Sequence, residues 1–282
     1  MHGAAGERRN LLAYAILGLG VFLFAFPVWL AFVGSTHEPG MMGRGDLPLL
    51  PGGHLVQNYA ATWERGGSLN YVSPVRDLLW HSIIMATAVA VGKIAVSILS
   101  AYAVVFFRFP GRMVFFWLIF ITLMLPVEVR IIPTFEVMVQ LDLINTWGGL
   151  IIPLIASATA TLLFRQFFLT IPDELMEAAK IDGAGPLRFL RDVVLPLSVT
   201  NLAALFVILF IYGWNQYLWP LLVATGPHVE TIVIGIVKMI GTDAGTDWNL
   251  VMAAAMLAML PPVIVVVLMQ RWFVKGLVET EK

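Results

Sequence analysis

The few polar side chains that interrupt long apolar runs are the residues of this sequence that could do chemistry. Lys93 interrupts one run, and Arg130 lies at the end of another, two residues after Glu128. A cation in an apolar segment attracts anions such as phosphate monoesters, and side-chain amides hydrogen-bond to hydroxyl groups. We therefore predict a path for a polar solute, with five candidate residues: Lys93, Arg130, Asn215, Gln216 and Trp214.

Each of these residues also has a structural alternative. Lys93 would pair with a carboxylate or a backbone carbonyl of another subunit, and Glu128 and Arg130 would be ordinary residues at the level of the lipid headgroups. Asn215 and Gln216 would form hydrogen bonds between packed helices, as amides do in membrane proteins. The sequence alone leaves both interpretations of each residue open.

Other kinds of reactive site find no support in the sequence. The chain has no Cys, which excludes disulfides, cysteine-bound zinc and thiol catalysis. Its five His are scattered without the close spacing of metal ligands. The phosphate-binding pattern GxxxxGK[ST] is absent, so we predict that any ATP hydrolysis belongs to another protein. We expect a non-catalytic chain that binds no metal and no cofactor itself.

The elements that position the candidate residues are long apolar segments. Of the 282 residues, 59% are apolar and 12% are charged, against about 25% charged in soluble domains. The mean hydropathy is +0.87. This composition excludes disordered chains, nucleic-acid-binding proteins and most soluble enzymes. Because about 20 apolar residues cross a bilayer as a helix, we predict six spans. They cover residues 11–37, 78–107, 113–127, 143–164, 200–223 and 248–270.

The first and third of these spans are more ambiguous than the others. The first is too long for the apolar part of a signal peptide and lacks a small-residue cleavage site, so we interpret it as a retained span. The third is the weakest, because Glu128 ends it early and Pro126 could break it.

The basic residues favour one orientation of the six spans. With the N-terminus inside, eleven of the 17 Lys and Arg fall on the cytoplasmic side and five on the outer side, with Lys93 inside a span. Cytoplasmic loops carry an excess of Lys and Arg, so this split predicts that both ends of the chain lie in the cytoplasm.

The loop between the fourth and fifth spans, residues 171–196, has the pattern of two short amphipathic helices. Thr170 and Asp173 resemble a capping box, Gly183 ends the first helix, and Pro186 begins the second. Such a hairpin at the cytoplasmic face is either a docking element or an interfacial hairpin that packs on lipid or on its own bundle. The residue pattern does not separate these two alternatives.

This loop resembles the EAA loop of binding-protein-dependent ABC importer permeases of the maltose type. Further similarity to that family extends from Asp77 to the end of the chain, in AYAVVFFRFPGR, NTWGGLIIP, LFRQFF and QRWFVKGLV. Within the family, PVEVRIIPTFEV, SATATLLFRQFF, TNLAALFVILFIYGWNQYLWPLL and ETEK resemble the second permease subunits of sn-glycerol-3-phosphate importers. The residues that match the EAA loop are Glu177, Ala178, Ala179, Asp182, Gly183, Ala184, Phe189, Leu195 and Pro196.

The resemblance implies a fold and a location. The fold is that of an all-α integral membrane protein, an ABC importer type I permease with six transmembrane helices, N-in/C-in, and a cytoplasmic coupling-helix loop. The location is the bacterial inner membrane. We divide the chain into an N-terminal segment, first span and periplasmic loop (1–76), a permease core (77–276) containing the EAA loop (171–196), and a cytoplasmic tail (277–282).

The resemblance also implies partners and roles. The partners are a sister permease in a heterodimer, a cytoplasmic ATPase dimer that uses ATP and Mg²⁺, a periplasmic solute-binding protein and the lipid bilayer, with no nucleic acid. Glu177 would be the charged contact to the ATPase, Ala178 and Ala179 would allow its close approach, and Gly183 would bend the loop. Asp182 would join this contact or, alternatively, cap the hairpin internally.

The function implied is import of sn-glycerol-3-phosphate. A sugar or oligosaccharide importer permease is the alternative within the family. A secondary transporter is a more distant alternative, since it would need a carboxylate deep in a span and leaves the EAA loop unexplained. An intramembrane enzyme finds no catalytic motif in the sequence.

Overall fold

The structure is a computed structural model that describes residues 3–46, 48–66, 73–122, 127–240 and 245–279. The side chains of residues 3–12, 127–128 and 273–279 lie outside this description. All regular structure in the described ranges is helical, which confirms the all-α prediction. The helices are α1 (Gly3–Ser35), α2 (Leu55–Arg65), α3 (Val75–Phe106), α4 (Arg112–Ile121), α5 (Val127–Gln140), α6 (Trp147–Ile151), α7 (Ala158–Phe168), α8 (Asp173–Ile181), α9 (Pro186–Phe189), α10 (Leu195–Leu197), α11 (Val199–Trp214), α12 (Leu218–Val223), α13 (Ile232–Met239) and α14 (Trp248–Glu279).

Within the described residues, three helices are long and apolar enough to cross a membrane, and two bent pairs of helices raise the number to five. The single helices coincide with the first, second and sixth predicted spans, and the bent pairs with the fourth and fifth. The third predicted span meets only the short helix α4, and residues 123–126 lie outside the described part. The count of six spans and the orientation therefore stay predictions. The spanning candidates are Ala13–Ser35, Val75–Phe106, Trp248–Trp272, Trp147–Leu154 with Ala158–Phe168, and Pro186–Leu197 with Val199–Trp214.

The fifth predicted span, residues 200–223, is interrupted where the sequence suggested a continuous helix. Helix α11 ends at Trp214, and the chain resumes a helix only at Leu218. Asn215 closes α11, and its backbone N–H donates to the carbonyl of Ile211 at 3.0 Å. Non-helical backbone at membrane depth is tolerated only where protein or a cavity surrounds it. The break therefore indicates that residues 215–217 face such an environment.

The chain forms two compact units, Met1–Leu78 with Gly235–Leu260, and Leu79–Ile234 with Pro261–Lys282. A buried polar network holds the first unit together. The side-chain amide of Asn58 donates to the carbonyls of Ser35 (2.8 Å) and His37 (2.7 Å), and Asn249 donates to the Asn58 oxygen at 3.0 Å. These bonds fasten the ends of α1, α2 and α14 to one another.

An apolar core in the second unit positions the interrupted segment. Trp219 of α12 is buried, and its indole N–H donates to the carbonyl of Gly149 in α6 at 3.1 Å. A Cβ at Gly149 would lie 2.1 Å from the carbonyl oxygen of Leu143, so only glycine fits there. Asn145 then fixes the chain after α12, because its side-chain oxygen accepts a 2.7 Å bond from the N–H of Gly226. The segment before α12 is thus held in place.

Candidate functional site

A cavity of about 510 Å³ in the second unit brings together four of the five residues predicted for a solute path. Small-molecule sites typically enclose about 300–1,000 Å³, so the cavity has the size of a solute site. It lies among α3, α5, the bend before α7 and the interruption after α11. We name it the amide-lined cavity; its predicted members are Lys93, Arg130, Asn215 and Gln216.

Lys93 is the buried cation of this cavity. Its residue is 6% exposed, and its Nζ lies 3.5 Å from the centroid of the Tyr212 ring. The ion pairs found in the described part of the chain do not include Lys93, and no described Asp or Glu lines the cavity. A ring face stabilises a cation by only about 0.5–2 kcal/mol and does not neutralise it. Lys93 thus presents an uncompensated positive charge to the cavity.

Arg130 and the amides complete the polar wall. Arg130 of α5 is exposed, and its carbonyl accepts a 2.7 Å bond from the hydroxyl of Thr134. Gln216 donates to the carbonyl of Tyr212 at 3.2 Å, and Asn215 is exposed. Two cations with amides and hydroxyls nearby can bind an anion that also carries hydroxyl groups.

Trp214 is the predicted path residue that the structure does not place in the cavity. It is 4% exposed, and its ring stacks on Phe210 with the centroids 5.8 Å apart. Because Trp214 is the last residue of α11, its side chain follows the packed face of that helix. The structure therefore does not bring Trp214 together with Asn215 in this cavity, and a place for Trp214 in the path stays a prediction. The side chain of Glu128 lies outside the described residues.

Tyr212 was missed by sequence reasoning, although its ring contacts Lys93. One aromatic residue in an apolar helix carries no signal of its own in the sequence. The spacing offered one indirect clue, since Tyr212 stands three residues before Asn215 and four before Gln216. Residues at those spacings lie on one face of a helix.

The second predicted site, residues 171–196, forms a helical hairpin. Helix α8 begins at Asp173 after Pro172 as N-cap, so the predicted Thr170 capping box is wrong. The hydroxyl of Thr170 instead donates to the carbonyl of Phe167 at 2.7 Å, closing the end of α7. The turn is as predicted: Gly183 has φ 72°, a conformation that favours glycine, and Pro186 begins α9.

The five residues proposed to contact the ATPase lie near the turn of the hairpin, and four of them are exposed. Glu177, Ala178, Asp182 and Gly183 are exposed, and Ala179 is half-buried. The Asp182 side chain forms no hydrogen bond or ion pair with the described residues, which gives no support to its role as an internal cap. The exposed positions are free to contact another protein.

The hairpin is attached to the C-terminal end of α3. The hydroxyl of Tyr102 donates to the carbonyl of Pro186 at 2.7 Å. The ring of Phe106 lies edge-on to Phe189, with the centroids 5.4 Å apart, and also contacts Phe168 at 6.0 Å. Aromatic pairs at these distances contribute about 0.5–1.5 kcal/mol each beyond buried area. The hairpin and α3 therefore form one packed assembly.

Exposed charges on α9 and the π-helical turn Leu190–Val194 pair with one another. Arg191 Nε lies 2.6 Å from Asp192 Oδ1, and Arg188 Nε lies 3.4 Å from Oδ2. Such exposed pairs stabilise the fold little, by about 0–1 kcal/mol. Their charge remains available to a partner.

Comparison with known proteins shows that the chain is similar to components of transport systems. Residues 93–279 match the family described as "Binding-protein-dependent transport system inner membrane component". The chain is 60% identical over 274 residues to the sn-glycerol-3-phosphate transport system permease protein UgpE of Brucella melitensis, covering 97% of each chain. It is 59% identical to the protein of that name from Rhizobium meliloti and 57% identical to that of Yersinia pestis, again over 97% of each.

A solved structure has the same fold. It is the crystal structure of a bacterial ABC transporter involved in the import of the acidic polysaccharide alginate. The matched chain aligns with a TM-score of 0.82 over 97% of this chain and 99% of its own length, at 22% sequence identity.

Proposed function

This chain belongs to the family of binding-protein-dependent transport system inner membrane components, and on that premise we propose that it translocates sn-glycerol-3-phosphate. It acts as one permease subunit of an ATP-driven ABC importer in the bacterial inner membrane. The identity of 57–60% to permeases named for this solute carries the proposal. The two cations of the amide-lined cavity support it, because a phosphate monoester is an anion that such a cavity would bind.

The proposed assembly contains a sister permease, an ATPase dimer and a periplasmic binding protein. The chain spans the membrane six times with both ends in the cytoplasm, which puts the hairpin on the cytoplasmic side. ATP and Mg²⁺ are used by the ATPase, and this chain has no catalytic role. Glu177, Ala178, Ala179, Asp182 and Gly183 form the contact through which closure of the ATPase dimer moves the hairpin.

The geometry of the amide-lined cavity supports a solute path through this chain. Lys93 and Arg130 hold the phosphate, and Asn215 with Gln216 hydrogen-bonds to the glycerol hydroxyls. Closure of the ATPases switches the permease pair between outward and inward openings, so the cavity is exposed to one side at a time. Selectivity also draws on the binding protein, which delivers the solute.

Uptake into vesicles tests this function. The complete complex, reconstituted with its binding protein, is expected to accumulate sn-glycerol-3-phosphate only when ATP is present on the ATPase side. A non-hydrolysable ATP analogue is the control. Uptake of a sugar or oligosaccharide, with none of sn-glycerol-3-phosphate, would instead identify a sugar importer and overturn the proposal.

A further inference from the structure

Lys93 lines a second cavity in addition to the amide-lined one. This second cavity has a volume of about 540 Å³, and we name it the hydroxyl-lined cavity for its five Ser and Thr residues. It shares Lys93, Arg130, Ala156 and Tyr212 with the amide-lined cavity, so these residues form the wall between the two. The Ser and Thr residues are Ser100, Thr122, Ser157, Thr159 and Thr161.

The chain order along α3 and through the bend before α7 separates the two cavities in space. From Lys93, α3 continues to Ser100 in the hydroxyl-lined cavity, a rise of about 10 Å at 1.5 Å per residue. The bend contributes Pro153 to the amide-lined cavity and Ala156 to both cavities, and α7 contributes Thr161 to the hydroxyl-lined cavity. The two cavities therefore follow each other along these helices.

Helix α11 gives the same order independently. Ile208 and Leu209 line the hydroxyl-lined cavity, Tyr212 lines both, and residues 215–219 line the amide-lined cavity. In the proposed orientation, α3 runs inward and α11 runs outward. All three segments then put the amide-lined cavity on the outer side and the hydroxyl-lined cavity on the cytoplasmic side of Lys93.

The chemistry of the hydroxyl-lined cavity differs from that of the amide-lined one. Ser100 donates its proton to the carbonyl of Val96 at 2.8 Å, and Thr161 donates to that of Ser157 at 2.9 Å. Thr122 donates likewise to Ile119 at 2.6 Å. A hydroxyl that donates a hydrogen bond still has two lone pairs on its oxygen, so these side chains can also accept hydrogen bonds. They suit alcohol groups, whereas a phosphate dianion has no proton to donate to them.

No described Asp or Glu lines either cavity, so neither offers a competing salt bridge to Lys93 or Arg130. The shared wall therefore fits an anionic group, and the cavities on its two sides fit hydroxyl groups in different ways. The side-chain amides can both donate and accept, whereas the hydroxyls of Ser100, Thr122 and Thr161 already donate to backbone carbonyls and remain acceptors.

We propose that the hydroxyl-lined cavity is a second station for the solute on its way to the cytoplasm. The phosphate stays at the wall formed by Lys93 and Arg130 while the glycerol end passes from the amide-lined to the hydroxyl-lined cavity. This inference rests on the proposed function and adds to it a site and an order of events. A continuous cationic contact spares the phosphate an uncompensated passage through an apolar region.

Labelling of introduced cysteines tests the two stations, because the chain has no cysteine of its own. Val96→Cys reports on the hydroxyl-lined cavity and Leu218→Cys on the amide-lined cavity. Leu99→Cys is the matched control: it lies near Val96, is 56% exposed and lines neither cavity. The assembled complex in nanodiscs is treated with N-ethylmaleimide, with and without sn-glycerol-3-phosphate, and labelling of this subunit is followed by mass spectrometry.

The expected result is slower labelling at both Val96→Cys and Leu218→Cys and no change at Leu99→Cys. The protection is about tenfold when the solute is present at about ten times its dissociation constant. Adding Ser100→Ala and Thr122→Val is expected to weaken protection at Val96→Cys and to leave that at Leu218→Cys intact. A general conformational change would not depend on those two hydroxyls.

Protection by the solute at Leu218→Cys but not at Val96→Cys would overturn the second station. So would protection at Val96→Cys that stays the same after Ser100→Ala and Thr122→Val are added. Either result leaves the proposed function standing, since uptake by the same cysteine variants is measured separately. If the wild-type complex takes up no sn-glycerol-3-phosphate, the proposed function fails and the second station falls with it.

Discussion

The surroundings of Lys93 and of Tyr102, two residues of α3, differ in the signs of the charges that they contain. Around Lys93, the cavities contain cations with no described carboxylate in their walls. Around Tyr102, the hairpin presents acids and bases together, among them Glu177 and Lys180, all on its exposed part. A buried site with only positive charges suits a small anion, and an exposed face with charges of both signs suits a complementary protein surface. The same helix thus connects the proposed solute site with the proposed docking site.

The largest expected effect on uptake is at Lys93, where the described walls of the cavities contain only positive charges. Lys93→Glu should abolish sn-glycerol-3-phosphate uptake, because it puts a negative charge where the phosphate is expected. Lys93→Arg is the matched variant, keeps the charge and should retain part of the activity. Uptake is normalised to the amount of complex in the membrane. Undiminished uptake by Lys93→Glu would remove Lys93 from the path and return it to a structural role.

Charge reversal at the hairpin should have the next largest effect. Glu177→Lys should reduce uptake about a hundredfold, because a misplaced charge in a protein interface costs several kcal/mol. Glu174→Lys is the control: this residue of α8 is also exposed, but it does not line the cavity between the hairpin and α3 to which Glu177 contributes. Co-purification of the ATPase should be lost for Glu177→Lys and kept for Glu174→Lys. Equal behaviour of the two variants would contradict the docking role of Glu177.

The hairpin turn allows a finer comparison between two glycines. Gly183→Ala should reduce ATPase-coupled uptake about five- to thirtyfold, because a side chain at a left-handed position costs about 1–2 kcal/mol. Gly185→Ala should have little effect, since Gly185 has φ −71° and both sites have open space for a Cβ. Limited proteolysis of the hairpin measures the structural change directly. A stronger effect at Gly185 would show that the turn geometry is not the cause.

The smallest expected effect is at the junction of α3 with the hairpin. Tyr102→Phe removes the hydroxyl that bonds to Pro186 and keeps the ring, and one neutral hydrogen bond contributes about 1 kcal/mol. Uptake should fall about two- to fivefold, while protection of Leu218→Cys by the solute stays unchanged. Loss of that protection would mean that Tyr102 supports the cavity itself rather than the attachment of the hairpin.

Composition and turn chemistry accounted for much of the fold. The apolar runs predicted α1, α3 and α14 because a bilayer helix has a minimum length, and Gly183 and Pro186 predicted the hairpin turn because their backbone preferences are local. Lys93 and Arg130 were each predicted as candidate path residues, but the sequence did not predict that they lie close together. Their meeting in one cavity depends on packing between distant segments.

Two differences between the sequence-based expectations and the structure have the same physical origin. Trp214 was assigned to the path because it adjoins Asn215, but the end of α11 between them sends their side chains into different surroundings. Thr170 fits a capping-box pattern, yet the turn that ends α7 uses its hydroxyl first. Neighbours in sequence share a site only when the backbone between them keeps one direction, and that information lies in tertiary structure.

The continuity of α3 between Lys93 and Tyr102 has a thermodynamic consequence. The two residues are about 14 Å apart along the helix, with no break between them. A tilt of about 10° of this rod would move one end by about 2 Å relative to the other. Any such lever acts in both directions, since coupling between two binding events is reciprocal. In the proposed complex, occupancy of the Lys93 site would change the affinity of the hairpin for the ATPase by the same factor by which docking of the ATPase changes the affinity for the solute.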